Sequence, residues 1–374
     1  MATRQRPERL LMVHDYPPLT GGGLALGTLE LVRLVQHERR CLVLSSRLVD
    51  HFADDRTRLA PPCAPAAPGR LARALRDADA LVVHWTFSFR RLATSCLLAG
   101  PALGIPTACV IHTAPDHCDY NRLRRVPSGA RQVLVSLVRS ALRRCQVVAL
   151  SRAHAAALEP AGIEVQEILP LPISAASRYA EVYARRDPAR PPETVGIVGE
   201  LSTLKGADAI PGLLRALTPR FAVRVVGRGP MSRSVKVAVE SLAPEARQRV
   251  AIADRVEPTA MPELLAGLDG LLVLSRSESQ CRLALEAMLA GVVVVARPTG
   301  GLLDVVRSGS TGVLVDPDDP VAVRTALAGL AADPVGAAAI RGRARAAAVA
   351  VAERSRRDWR RFLLSLDGAQ GGSR

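Results

Sequence analysis

The sequence predicts an α/β fold of two similar halves, each a doubly wound parallel sheet. Three observations predict it. Apolar runs of strand length recur along the chain, separated by longer segments with a helical apolar period. That alternation breaks off in a stretch rich in Arg, Ala and Pro, Ile173 to Pro192, and then starts afresh. Finally, 374 residues are enough for two cores. With 48% hydrophobic but only 3% aromatic residues, Val, Leu and Ala must carry the packing.

In the first half, Arg9 to Tyr16 reads as a strand, and the loop Pro17 to Gly23 opens a helix from Leu24 to His37. A glycine-rich loop feeding a helix amino terminus offers free N–H groups and a positive dipole end to an anion, which makes Gly22 and Gly23 candidate binding residues. The other reading is a plain loop that needs positive φ at glycine. The spacing is not G-x-G-x-x-G, so a dinucleotide is not implied. Strand-like runs follow at Cys41 to Ser45, Ala80 to His84, Thr107 to His112 and Val147 to Leu150. Ligands of such sheets sit beyond the carboxyl ends of the strands, where His14, His84 and His112 all fall. Each also reads as a histidine merely hydrogen-bonded in a turn. Ser128 to Arg144 interleaves Val, Leu and Ala with Arg131, Arg139, Arg143 and Arg144. It is either a helix packed on the sheet with its arginines in water or a basic amphipathic helix that docks on a membrane.

Residues 176–192 are expected to link a first domain, 1–175, to a second, 193–350. The second half opens with a strand, Val195 to Val198, the turn Gly199-Glu200-Leu201-Ser202-Thr203-Leu204-Lys205-Gly206, and a helix from about Ala207 to Leu217. Val223 to Val226 is the next strand, closed by Gly227-Arg228-Gly229-Pro230. Leu271 to Leu274 is a strand ending in a Ser-rich turn. Leu283, Leu285, Ala287, Met288 and Leu289 then make a helix ended by Gly291, and Val292 to Ala296 is a second buried strand. Glu278 and Glu286 stand eight residues apart. On continuous helix that spacing means a rise of about 12 Å and an angle of about 80°, whereas two glycosidase carboxylates flank one bond at roughly 5 to 10 Å. The pair therefore reads as two handholds on one long ligand. Past Asp333 the chain is helical, Arg354 to Leu366 is amphipathic with Trp359 and Phe362, and the tail Gly368 to Arg374 is expected to be disordered.

The stretch Leu271 to Pro317 resembles the donor-site signature of retaining glycosyltransferases of family 4, which have the GT-B fold. There E-x7-E is followed by EAM, a small residue, Gly, an apolar strand and a Gly-Gly loop. Here these are Glu278, Glu286-Ala287-Met288, Gly291 and Gly300-Gly301, with a later T-G-x-L-V turn at Thr311 to Val315. The resemblance implies two Rossmann-like domains facing each other across a cleft, the donor mainly on the second and the acceptor on the first, with segment 351–374 returning to the first. It implies that Glu278 faces the donor sugar and that Glu286 binds ribose hydroxyls by charge-assisted hydrogen bonds. Backbone N–H groups near Gly300, Gly301 and Leu302 would hold the sugar or the phosphates, His112 in VIHT would sit at the sugar, and Gly22 and Gly23 near the donor phosphate. The turn Gly199 to Gly206 is similar to the family's G-R-L-x-x-x-K-G, whose Arg and Lys neutralise the leaving diphosphate. Lys205 keeps the Lys, but Glu200 replaces the Arg, so Arg228 and Arg282 are candidates for the second cation. Gln280-Cys281 stand where the family usually has Phe-Gly, which marks a donor sugar held differently. The expected catalytic residues are His112, Lys205 and Glu278, with a nucleotide sugar, UDP-linked, as co-substrate and no metal or other cofactor.

The formal net charge of +15 points first to nucleic acid or acidic lipid. The excess is almost all Arg, spread over the chain, with Lys205 and Lys236 the only lysines. That is a dispersed surface charge, and no nucleic-acid partner is expected. No apolar run reaches the ~18 residues needed to span a bilayer, and the residues before His14 are too short for a signal peptide's apolar region. The expectation is a cytoplasmic protein, with peripheral membrane contact through the 128–144 helix as the alternative. Seven cysteines without a C-x-x-C fit reduced thiols. The expected acceptor is a small hydroxylated molecule such as an aminocyclitol, and the alternative is a lipid-linked or polysaccharide acceptor. A non-catalytic nucleotide-sugar-binding relative is the reading of another class, with Glu200, Gln280 and Cys281 in its favour.

Overall fold

The computed structural model describes residues 9–14, 23–45, 58–59, 68–87, 92–113, 128–173, 176–187 and 190–366. Gly22 and the tail Gly368 to Arg374 lie outside the described residues. The chain divides into two compact units, Met1–Pro172 with Arg354–Arg374, and Ile173–Glu353.

The first unit contains β1 (Arg9–His14), β2 (Arg40–Ser45), β3 (Arg58–Leu59), β4 (Ala80–Trp85), β5 (Thr107–Ile111), β6 (Gln146–Ala149) and β7 (Glu167–Ile168). They form one parallel sheet in the order β3-β2-β1-β4-β5-β6-β7. The second contains β8 (Thr194–Val198), β9 (Ala222–Val226), β10 (Val250–Ala253), β11 (Gly270–Val273), β12 (Val293–Ala296) and β13 (Val313–Leu314), again parallel, in the order β10-β9-β8-β11-β12-β13. Both orders reverse direction at one place, between β1 and β4 and between β8 and β11. Helices leave the two strands there in opposite senses, which opens a crevice beyond their carboxyl ends.

The continuous apolar runs follow from burial on both faces. Along β1, Leu11 and Val13 enter one core while Leu10 and Met12 enter the other. Along β12, Val293 and Val295 face one side and Val294 and Ala296 the opposite. The helix Pro334–Ser365 serves both units: Ala344 and Ala348 belong to a core of the second, and Trp359, Phe362, Leu363 and Leu366 to a core of the first. Trp359 is fully buried, and its indole donates to the carbonyl of Pro170 at 2.8 Å.

One expectation changes. Within 176–192, read from sequence as a linker, the structure has a helix, Ala176–Ala184, with Tyr179 and Val182 buried against the second core. Arg186 donates to the carbonyls of Ala290 (2.9 Å) and Leu265 (2.8 Å), and Asp269 accepts from the backbone of Glu193 and Thr194. Arg186 thereby stitches the segment onto the second unit through residues 79 and 104 positions away. Its apolar stripe is short, and prolines and arginines obscure it in the sequence.

Trp359→Ala removes a fully buried indole and leaves the Pro170 carbonyl without its donor. Denaturant unfolding should show a loss of about 3 to 5 kcal/mol. A loss below about 1 kcal/mol would mean that this helix contributes little to the first core.

Candidate functional site

The second unit's switch point collects most of the sequence-predicted residues. β8 runs into the turn Gly199 to Gly206, and β11 into the loop ending at Cys281, where the helix Arg282–Leu289 begins. Backbone bonds tie the turns together. Leu201 N–H donates to the Arg228 carbonyl (3.2 Å), Met231 N–H to the Leu201 carbonyl (2.9 Å) and Arg276 N–H to the Leu204 carbonyl (2.9 Å). So close an approach excludes side chains. At Gly227, φ +155°, a Cβ would lie 1.7 Å from the Gly199 carbonyl oxygen, and at Gly300, φ +48°, one would lie 1.9 Å from that of Glu278.

This closure brings two distant charges together. Nζ of Lys205 donates to Oε1 of Glu278 at 2.7 Å, the side chains being 35% and 13% exposed. Burial works against the ammonium, but the carboxylate of Glu278, by charge and by hydrogen bond, outweighs it, so the Lys205 pKa is raised. Cys281 and Glu200 add smaller contributions. Lys205 is therefore a fixed cation at neutral pH, with two further N–H donors for an anion. Glu200 is exposed, and its charge falls on Lys205 only as the weakest of these influences. Arg228 is also exposed, on the turn after β9, and its guanidinium makes no ion pair among the described residues. Cys281 is buried in the left-handed region, φ 56°, directly before the helix. Burial, with Glu278's charge adding, pushes its thiol pKa up, so it stays neutral.

Other expected site residues have partners within the chain. Arg282 pairs with Glu286 one turn along its own helix, at 3.6 Å with both side chains about nine-tenths buried, so its charge is already shared. The N–H groups of Gly301 and Leu302 are donated to the carbonyls of Glu278 (2.8 Å) and Thr299 (3.2 Å), and that of Gly199 to Val226 (2.9 Å). Closing the loop consumes these donors. Gly300 N–H has no partner among the described residues. Gly23 begins the helix Gly23–Val35, as a helix-terminal binding site requires. Sequence reading missed Arg276, which bridges Asp208 (2.6 Å) and Asp318 (2.9 Å), and Arg297, paired with Asp316 at 2.8 Å. Together they fasten the β11 loop to the acidic run after β13, and the only sequence signal was an Arg inside a Ser-rich turn.

In the first unit, His14 ends β1 and pairs in register with His84, the last residue but one of β4, and His112 follows β5. Nδ1 of His84 lies 2.8 Å from Nε2 of His112. His14 and His84 are fully buried, and His112 is half-buried. Burial lowers the pKa of His14 to about 4. Burial also lowers that of His112 to about 3, with the nearby imidazoles of His154 and His14 adding to the effect. These rings stay neutral in the folded state while those of an unfolded chain take up protons near 6.5. Stability from this source is complete above about pH 6.5 and is lost as pH falls, on the order of 3 kcal/mol for His14 by pH 4. Unfolding measured across that range should weaken toward acid, and His14→Asn should flatten the slope. An unaltered slope would remove His14 as its source.

Residues 192–333 match the sequence model of the family described as glycosyl transferases group 1. The chain is 33% identical over 202 residues, 53% of its length, to a D-inositol 3-phosphate glycosyltransferase of Xylanimonas cellulosilytica, covering 47% of that protein. It is 30% identical over 258 residues to a 2-deoxystreptamine N-acetyl-D-glucosaminyltransferase of Streptomyces fradiae, covering 62% of this chain and 59% of that one. The matched region thus spans about half the length of these curated relatives. Among solved structures, Anabaena Alr3699/HepE in complex with UDP superposes with a TM-score of 0.70 at 19% identity, over 96% of this chain and 100% of its own. The chain has the two-domain GT-B fold, and its residues 192–333 are similar to the glycosyl transferases group 1 family.

Proposed function

We propose that the protein is a retaining glycosyltransferase that moves a sugar from a nucleotide-sugar donor, UDP-linked, to a hydroxyl of a small hydrophilic acceptor such as an aminocyclitol. The observation that carries this reading is the Lys205–Glu278 pair, 2.7 Å apart above the β8/β11 switch point on the turns that resemble a donor site. An ammonium with two donors to spare suits a diphosphate, and a carboxylate beside it suits the hydroxyls of the attached sugar. The UDP bound by the Anabaena neighbour supports the base, and the aminocyclitol named for the Streptomyces relative supports the acceptor class.

In the proposed reaction the C1–O bond of the donor breaks and its electron pair leaves with the diphosphate. Lys205 meets the growing charge, in an arrangement set before the reaction begins. The acceptor oxygen bonds to C1 on the same face, and its proton passes to the leaving phosphate. Arg228 is free to supply the second cation that Glu200 does not. Glu286 binds the ribose hydroxyls, keeping Arg282 as its companion, and His112 orients the sugar. No metal is required, because the cationic side chains carry the charge.

A second reading, a lipid-linked acceptor, rests on the helix Ser128–Leu142, where Val133 and Leu137 are 60% and 52% exposed near Arg139 and Arg143. Flotation with anionic liposomes separates the two: binding that is lost in Val133→Ser with Leu137→Ser favours the membrane acceptor.

Thermal stabilisation by UDP, GDP, dTDP and ADP tests the donor. A nucleotide at 100 times its Kd should add about 2.7 kcal/mol, and Lys205→Ala should abolish the shift. Stabilisation by none of them would make a non-catalytic protein the better reading. Lys205→Ala and Glu286→Ala should each lower turnover at least about tenfold, and unchanged kinetics would remove both from the site.

A further inference from the structure

The histidine pair of the first unit holds information that the donor-site residues do not. His84 is the last residue but one of β4 and has no exposed surface, and Trp85, which ends the strand, is anchored by its indole to Thr94 Oγ1 at 3.0 Å. The N–H of His112 continues the ladder by donating to the Trp85 carbonyl at 2.9 Å. Rigid backbone on both sides therefore sets the 2.8 Å approach of His84 Nδ1 to His112 Nε2. The rings are 5.0 Å apart at 36°, so they meet through their nitrogens rather than by stacking.

Two neutral imidazoles in this contact carry one proton each, and one must donate while the other accepts. The other nitrogen of His84, Nε2, is buried without a hydrogen-bond partner among the described residues. Buried N–H groups without acceptors are rarer than acceptors without donors, so Nε2 holds a lone pair and the His84 proton lies on Nδ1. That proton points at His112 Nε2. The titratable groups acting on the pair are themselves imidazoles, His14 on β1 and His154, and burial with these neighbours disfavours the charged form of both rings.

We propose that His84 is a positioning residue: its Nδ1–H donates to His112 Nε2, holds that ring in one orientation and confines the His112 proton to Nδ1. The proposal rests on the reading that His112 orients the donor sugar. In this tautomer His112 carries its proton on Nδ1 and is no base, and the transferred proton must go elsewhere, as the proposed reaction has it.

The test uses the full chain labelled with 15N-histidine. Two-bond 1H–15N spectra at neutral pH report the tautomer, His112 being assigned by its loss in His112→Ala. Release of UDP from UDP-glucose gives the kinetics. The wild type should show His112 protonated on Nδ1. His84→Asn, whose amide N–H takes the place of Nδ1–H, should keep that tautomer and stay within about threefold in kcat. His84→Leu should mix the tautomers and lower kcat about tenfold to a hundredfold, the cost of a reacting group left misplaced. A His112 proton on Nε2 in the wild type, or a His84→Leu protein with the same tautomer and turnover, overturns the proposal. If His84→Leu does not fold, the wild-type and His84→Asn spectra still decide. An unchanged kcat in His112→Ala, or a wild type inert toward UDP-glucose, would count against the proposed function, while the tautomer tests the pair independently.

Discussion

The second unit depends on keeping an ammonium and a carboxylate in contact where a parallel sheet reverses its order. Lys205 and Glu278 are 73 positions apart, and nothing local draws them together. They meet because β8 and β11 are hydrogen-bonded neighbours and their loops emerge side by side. The glycines serve this pair. A Cβ at 227 or 300 would collide with the backbone oxygen of Gly199 or Glu278, on the turns that carry the pair. Backbone donors predicted to hold a ligand are spent on holding the loop.

The first unit uses the same topology with the opposite electrostatics. At its switch point stand His14 and His84, with His112 directly after the adjacent strand β5, and burial keeps them neutral. Neutral imidazoles are directional: each donates at one nitrogen and accepts at the other. One unit presents a fixed cation, the other a group of buried neutral rings.

Similarity is strongest where these constraints are tightest. The family match falls on 192–333, the segment that carries both donor-like turns, whereas fold similarity to the Anabaena protein covers 96% of the chain at 19% identity. A sheet with two buried faces tolerates any apolar residue of suitable size. Loops that pass within van der Waals contact of each other's backbone tolerate far fewer.

The sequence by itself determined the alternation of strands and helices, the two halves, and the turns bearing Lys205, Glu278 and Glu286, because buried strands, helix periods and glycine-dependent turns are all local patterns. It missed β3, β7, β10 and β13, edge or near-edge strands of two to four residues, because so short a run carries no period. It misread the helix Ala176–Ala184 as part of a linker, since that segment is fixed by Arg186 on the carbonyls of Ala290 and Leu265 across the second unit. Only the tertiary structure decided that Arg282 is engaged by Glu286, that Gly301 and Leu302 have no N–H to spare, and that His84 meets His112. Each is a question of which partner reaches a polar group first, and that depends on strand order and loop closure, which spacing along the chain does not encode.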